Sequence, residues 1–388
     1  MTSEEVETTE KNKTVPESPS TFSSLPDEIT ENILARVSRW NYSSLSLVSK
    51  RFHSLVSSKD IYKTRSQIGA DETCLYFLLK LHDHPCVSWF SLRFKPDSSG
   101  YLIVPIPSSC TDSFPELSYI VTVDSDIYII GGSHKEPSSS VRIFDCRSHT
   151  WRDGHNMTVA RENAQTVILD EKIYVIGGCD IDEYNANWIE VFDIKSQSWS
   201  ALPGPGADED ELRNHLREYS EYYYIVNVFG GKIYVVVNEK DYTYEPKNGI
   251  WKLVREKPGF IDTVRGWCEM GNLIYGCTDS GNLMWSASEF EGREWREIKG
   301  LEKLREHPTG GHKIGYEFEL VDCGGQLLVM WDPYPLEPME RSNKIWYAKI
   351  SLESRCNGRE VWGNVECVDV LTFPVESYER FCCVDATV

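Results

Sequence analysis

Apolar residues between positions 24 and 58 recur at helical spacing. Ile29, Ile33, Leu34 and Val37 stand at i, i+4, i+5 and i+8, so they lie on one face of a short helix. Pro26 suits a first helical position, and the two acidic residues that follow it stand where the helix dipole favours negative charge. The pattern predicts a helix that begins near Pro26 and ends before residue 40.

A second apolar set follows this helix and predicts another short helix, with a third near Ile61 and Tyr62. Helices this short cannot bury their apolar faces alone. They must therefore pack on one another and on a partner outside the segment. The second set consists of Leu45, Val48, Phe52, Leu55 and Val56.

From residue 118 onward the chain contains internal repeats, each made of two segments with strand character. The segments SYIVTVDSDIYIIGG and AQTVILDEKIYVIGG end at Gly132 and Gly178, a period of 46 residues. Each is followed by a second segment, VRIFDCRSHTW to Trp151 and IEVFDIKSQSW to Trp199, and these ends are 48 residues apart. Short apolar strands repeating at this period predict four-stranded propeller blades.

Weaker copies bring the number of repeat units to five, near residues 118–163, 164–210, 222–262, 266–312 and 315–371. Paired glycines allow a tight turn after the second strand, and a tryptophan at the fourth strand fills the wedge between neighbouring blades. The glycines are Gly131, Gly132, Gly177 and Gly178, and the tryptophans are Trp151, Trp199, Trp251 and Trp295.

A sixth blade is expected from two segments outside the repeats. Three strand-like runs lie within residues 74–107, and one more forms the C-terminal residues 381–388. Pairing the C-terminal run with the other three closes the ring by main-chain hydrogen bonds and removes exposed sheet edges. We therefore expect six blades over residues 74–388, although the weak glycine pattern of the later repeats also allows seven.

Charge is distributed unevenly along the chain. The net charge is −20, which argues against binding to nucleic acid phosphates or an anionic membrane. Residues 1–21 carry five Glu and two Lys with almost no bulky apolar side chain, so we expect a disordered acidic tail. Residues 22–63 carry four acidic and six basic side chains, a net of +2, whereas residues 64–388 carry −19. The two regions are expected to meet different partners.

Twelve cysteines are present, but none forms a C-x-x-C pair. The chain begins with no signal-like segment and contains no apolar run near 18 residues. We therefore expect free thiols and a location in the cytosol, the nucleus or both.

The N-terminal segment resembles the F-box motif, in which L-P-x-E/D-I/L precedes an apolar helix and then L-x-x-V-S-K-x-F. This resemblance implies that residues 22–66 dock onto a Skp-type adaptor, which holds a cullin and a RING protein. Adaptors of that kind are acidic, in keeping with the local net charge of +2. An alternative is a helical cap that only packs on the downstream domain. The residues implied in adaptor binding are Leu25, Pro26, Asp27, Glu28, Ile29, Leu34, Val37, Leu45, Val48, Ser49, Lys50, Arg51 and Phe52.

Together, the F-box segment and the repeats resemble the plant F-box/kelch-repeat proteins. The resemblance implies a small α-helical F-box followed by an all-β kelch-type propeller. It also implies a non-catalytic substrate-recognition subunit of a Skp–cullin–F-box ubiquitin ligase. Two alternatives are a kelch scaffold whose F-box controls only its own turnover, and a propeller enzyme with a regulatory F-box.

We examined the chain for catalytic constellations and expect no metal, no cofactor and no catalytic residue. His134, His149, His155, His307 and His312 share no ligand spacing suited to a copper oxidase. An acidic insertion at 203–223 superficially offers iron ligands in residues 208–211 and His215, but it is better interpreted as a solvated segment.

Target recognition is expected in the variable loops at one mouth of the ring, because binding residues concentrate on loops held by a rigid scaffold. The candidate segments are 133–139, 180–187 and 206–221. Arg161 fits a ligand-binding role and a structural role equally well. The candidate target-binding residues are His134, Lys135, Arg161, Asp180 and Asp182.

Overall fold

The computed structural model divides the chain into two compact units, residues 1–72 and residues 73–388. The structure describes residues 22–82, 87–94, 100–107, 119–132, 137–162, 164–179, 187–202, 212, 224–237, 240–256, 264–278, 280–287, 295–305, 318–332 and 342–388. The acidic tail at 1–21 and most of the 203–223 insertion lie outside these residues.

The first unit is helical, and its core forms where the helices meet. Leu34 and Ala35 are buried with Ile61 and Tyr62 of the last helix. After a 3-10 turn at Phe22–Ser24, the helices are α1 (Asp27–Ala35), α2 (Tyr42–Ser46), α3 (Lys50–Val56) and α4 (Lys59–Gln67), with a second 3-10 turn at Arg39–Asn41 before α2.

The second apolar set of the sequence forms two helices, where one was predicted. Ser49 adopts an extended conformation and its hydroxyl accepts a hydrogen bond from the Phe52 backbone N–H at 3.1 Å. This is an N-cap, which begins α3 and separates it from α2. Leu47 and Val48 therefore lie in the turn between the two helices.

The second unit is a ring of six four-stranded antiparallel sheets, which confirms the predicted six-bladed propeller. The first sheet has the order β24–β1–β2–β3, and five consecutive meanders follow: β4–β7, β8–β11, β12–β15, β16–β19 and β20–β23. A short helix, α5 (Glu302–Arg305), lies between β19 and β20. The strands are β1 (Thr73–Leu81), β2 (Val87–Phe94), β3 (Tyr101–Ile106), β4 (Tyr119–Val123), β5 (Asp126–Ile130), β6 (Val141–Asp145), β7 (Thr150–Asp153), β8 (Gln165–Leu169), β9 (Lys172–Ile176), β10 (Ile189–Asp193), β11 (Ser198–Ala201), β12 (Tyr224–Phe229), β13 (Lys232–Val237), β14 (Lys240–Glu245), β15 (Ile250–Glu256), β16 (Val264–Met270), β17 (Leu273–Thr278), β18 (Leu283–Ala287), β19 (Arg296–Glu297), β20 (Phe318–Asp322), β21 (Leu327–Trp331), β22 (Lys344–Arg355), β23 (Glu360–Thr372) and β24 (Tyr378–Thr387).

The C-terminal strand β24 is the innermost strand of the first blade. It pairs antiparallel with β1 along the whole of that strand, with Phe77 opposite Cys383. It also lies between β4 and β20, the first strands of the two neighbouring blades. The ring is therefore closed by a strand from one end of the chain in a sheet with three strands from the other.

Aromatic pairs recur across the third and fourth strands of successive blades. Phe144 lies opposite Trp151 with ring centroids 4.8 Å apart, and Phe192 lies opposite Trp199 at 5.0 Å. Trp151 also meets Trp89 of the adjacent blade at 5.1 Å. These tryptophans thus contribute both within a blade and between blades.

Gly178 shows why a residue without a side chain follows the second strand. Its φ is +67°, and a Cβ placed there would stand 2.4 Å from the Glu162 carbonyl oxygen of the preceding connection. Any other residue would clash with this backbone.

None of the helices in the described part of the chain is long and apolar enough to cross a membrane.

Candidate functional site

Large apolar side chains are exposed mainly in the helical unit. Among the described residues, eight large hydrophobic side chains are exposed, and five of them lie within residues 22–48. The most exposed are Leu47 at 88% and Val48 at 65%. We call the five the exposed apolar set: Phe22, Ile29, Ile33, Leu47 and Val48. Exposed apolar side chains concentrated in one small unit are typical of protein-binding surfaces.

The start of α1 is fixed to α3 by one arginine. The Arg51 guanidinium donates hydrogen bonds to the Leu25 carbonyl and, at 3.0 Å, to the Thr30 hydroxyl. Its Nε forms an ion pair with the Asp27 carboxylate at 2.7 Å. The two halves of the F-box motif are thus joined by this side chain, which orients the exposed face of α1.

The structure separates the predicted adaptor-binding residues into three groups. Leu34 is only 2% exposed and belongs to the helical core. Leu25, Val37, Leu45, Arg51 and Phe52 are half-buried. The exposed members are Pro26, Asp27, Glu28, Ile29, Val48, Ser49 and Lys50.

Phe22, Ile33 and Leu47 are exposed but were not among the predicted adaptor-binding residues. Leu47 was missed because a continuous helix through residues 45–56 puts it off the apolar face. The signal that would have revealed it is Ser49, since a serine before Lys50 and Arg51 can begin a new helix and leave Leu47 in a turn.

Most candidate target-binding residues lie outside the described residues. His134, Lys135, Asp180 and Asp182 belong to this group. Arg161 is described, and its side chain is fully buried inside the propeller. This burial supports the structural role of Arg161 over direct contact with a target.

Arg161 is the centre of a buried polar network. Its guanidinium forms an ion pair with Glu190 at 2.9 Å, and both side chains are 0% exposed. Glu190 also accepts hydrogen bonds from the Thr158 backbone N–H at 2.9 Å and from the Thr158 hydroxyl. A buried pair of this kind is stable only when hydrogen bonds satisfy its remaining polar atoms, as they do here.

Within the part of the chain that the structure describes, no three His, Cys, Asp or Glu side chains are placed to hold a metal ion. The potential iron ligands and His134, His307 and His312 lie outside that part. Burial raises the pKa of Cys268 to about 12 and holds the pKa of Cys383 well above its usual value. Both therefore remain thiols at neutral pH and are poor nucleophiles.

The fold and the exposed apolar set together define a class of protein: an F-box module joined to a kelch propeller. Family models agree with this division. An F-box domain matches residues 22–64, and a domain described as "FKB95, Kelch-repeats domain" matches residues 89–372.

Relatives over nearly the whole chain specify the family. F-box/kelch-repeat protein At5g39560 of Arabidopsis thaliana is 45% identical, covering 95% of this chain and 94% of the relative. F-box/kelch-repeat protein At4g19870 of the same plant is 38% identical, covering 98% of this chain and 96% of the relative. The chain belongs to the family of F-box/kelch-repeat proteins.

Proposed function

We propose that this chain is the substrate-recognition subunit of a Skp–cullin–F-box ubiquitin ligase. The helical unit binds a Skp-type adaptor, which connects the chain to a cullin and a RING protein. The propeller binds a target protein, and ubiquitin transfer is catalysed by the partners. We expect this assembly in the cytosol, the nucleus or both.

The observation that carries the proposal is the exposed apolar set. Residues 22–48 hold five of the eight exposed large hydrophobic side chains among the described residues. Leaving such side chains in water costs about 1.5–3 kcal/mol each relative to full burial. A partner that covers them recovers the share of this free energy that corresponds to their exposed fractions, which run from 38% at Ile33 to 88% at Leu47. The F-box resemblance implies that a Skp-type adaptor covers them.

Charge supports the same partner. Residues 22–63 carry a net charge of +2 in a chain whose total is −20. Lys50 and Lys59 are exposed on the helical unit. An acidic adaptor is therefore attracted to this unit and repelled by the remainder of the chain.

The role of the propeller follows from its rigidity. Six sheets closed into a ring present loops from a fixed scaffold. Holding a target near a conjugating enzyme raises the effective concentration of its lysines, so the chain promotes transfer without catalytic residues. The candidate target contacts are the segments 133–139, 180–187 and 206–221.

The proposal is tested by the affinity of the full chain for a purified Skp-type adaptor, measured by isothermal titration calorimetry. Leu47→Ala is expected to raise the Kd about tenfold. The substitution removes most of the apolar surface that the adaptor would bury at this position, and a loss of about 1.4 kcal/mol of binding free energy corresponds to a tenfold change. Ile33→Ala/Leu47→Ala, called the docking variant below, should raise the Kd further, but by less than another factor of ten, because Ile33 is only 38% exposed.

Leu102→Ala is the matched control, because Leu102 is also exposed, at 48%, but lies in β3 of the propeller. It should bind the adaptor as the unaltered chain does. Adaptor binding that is absent from the unaltered chain, or equal in the docking variant, would refute adaptor docking through this surface.

A further inference from the structure

Arg161 makes its contacts with two different blades, through two different parts of the residue. Its side chain faces the blade of β8–β11. The guanidinium donates to the Gly177 carbonyl at 2.6 Å, to the Trp188 carbonyl at 3.0 Å and to the Asn187 carbonyl. These carbonyls flank residues 180–186, which connect β9 to β10.

The backbone of Arg161 faces the preceding blade, β4–β7. The Arg161 carbonyl accepts hydrogen bonds from the Gly132 N–H at 2.8 Å and the Ser138 N–H at 3.1 Å. The Arg161 N–H donates to the Ser138 carbonyl at 2.9 Å. Gly132 and Ser138 flank residues 133–136, which connect β5 to β6.

We infer that Arg161 is a positioning residue that couples the residues at the ends of these two connections: Gly132 and Ser138 in one blade, and Gly177, Asn187 and Trp188 in the next. The consequence of this coupling for target recognition rests on the proposed function, in which these connections belong to the candidate target-binding segments. Specificity is then a joint property of two blades. Arg161 itself does not touch the target.

The coupling follows from the geometry of the guanidinium. A planar fork with five N–H donors can satisfy three carbonyls and a carboxylate at once, and Glu190 holds it in place at 2.9 Å. A lysine at this position keeps the charge but has a single ammonium, which cannot reach all of these acceptors. When the side chain shifts, the backbone of residue 161 shifts with it, and its bonds to Gly132 and Ser138 weaken.

The test is amide hydrogen exchange of the full chain, comparing Arg161→Lys with the unaltered protein. We expect about tenfold faster exchange at Gly177, whose N–H donates to the Trp188 carbonyl at 2.9 Å. We expect a similar increase at Gly132 and Ser138, although the substitution removes no atom that they contact. If the role of Arg161 were confined to the β8–β11 blade, exchange would become faster at the Gly177 amide alone, and that result would overturn the inference. Unchanged exchange at all three amides would overturn it as well.

Arg152→Lys is the matched control, because Arg152 lies in β7 and pairs with Asp126 at 2.5 Å on the propeller surface. It should leave all three amides unchanged. If Arg161→Lys unfolds the propeller, amide exchange also rises in the distant strand β21. In that case Glu190→Gln takes the place of Arg161→Lys in the test. The expected pattern at the three amides and the result that would overturn the inference are the same for both variants. Arg161→Lys should bind the adaptor normally; failure of the unaltered chain to bind would count against the proposed function alone.

Discussion

Two buried arginines perform similar tasks in the two units of the molecule. Arg65 is 1% exposed in the helical unit, where it donates to the Ala35 carbonyl at 3.0 Å and the Val37 carbonyl at 2.7 Å. It also pairs with Glu72 at 3.0 Å. The Ala35 carbonyl belongs to the last turn of α1 and the Val37 carbonyl lies just beyond it, where a cation is favoured by the helix dipole. Arg65 thus links the end of α1 to α4.

Arg65→Met should destabilise the helical unit by about 3–5 kcal/mol, because it leaves buried carbonyls and a partly buried carboxylate without their donor. Amide exchange of residues 27–67 in the full chain would measure this loss. Arg36→Met is the control, since Arg36 is exposed and makes one hydrogen bond, to Asn32 at 3.3 Å. Equal exchange in the two variants would contradict the assigned role.

Individual residues differ in how far the sequence reveals their roles. Ile29 and Leu34 stand in one apolar pattern, yet Ile29 is 50% exposed and Leu34 is 2% exposed. Helical spacing identifies a face but not which neighbour covers each position. Arg161 remained undecided because its partner Glu190 stands 29 residues away, and no local pattern joins the two.

At the scale of the element, the hairpin turns between the third and fourth strands of three successive blades, β4–β7, β8–β11 and β12–β15, share one backbone requirement. The residue before the fourth strand has a positive φ: +54° at His149, +54° at Gln197 and +66° at Gly249. Asp145 and Asp193 open two of these turns and accept hydrogen bonds from backbone N–H groups within them. The residue that takes this positive φ differs between the blades, and glycine adopts it at a lower cost than histidine or glutamine.

Gly249→Ala should lower the stability of the propeller by about 1 kcal/mol, measured by urea denaturation. A Cβ at residue 249 meets no atom within 4 Å, so the cost comes from the backbone conformation alone. Lys247→Ala, an exposed change in the same turn, serves as the control and should have little effect. Equal stability of the two variants would show that this turn tolerates a side chain.

At the scale of the whole molecule, we expect stability to depend on closure of the ring. Strand β24 pairs with β1 from Thr73 to Leu81 and lies between the first strands of its two neighbours. Six blades could be predicted because five repeat units are recognisable, the first two of them 46 to 48 residues apart, and the strand-like remainders supply one more. The innermost position of β24 could not be predicted, because the sequence does not show the order of the strands within a sheet.

Deletion of residues 381–388 should lower the melting temperature by more than about 10 °C, because it removes most of the innermost strand of one blade and exposes the edge of β1. Differential scanning calorimetry measures this. A deletion of residues 1–20 removes more chain but almost no bulky apolar side chain, and should leave the propeller transition in place. A C-terminal deletion as stable as the unaltered chain would contradict closure by β24.

In the proposed function, one unit docks to a ligase while the other holds a target. The most direct test measures the half-lives of proteins that co-purify with the propeller, in plant cells expressing either the unaltered chain or the docking variant. Targets are expected to bind both chains equally but to live several-fold longer with the docking variant, and proteasome inhibition should remove the difference. Bound proteins with the same half-life under both chains would contradict the claim that this protein is a substrate receptor.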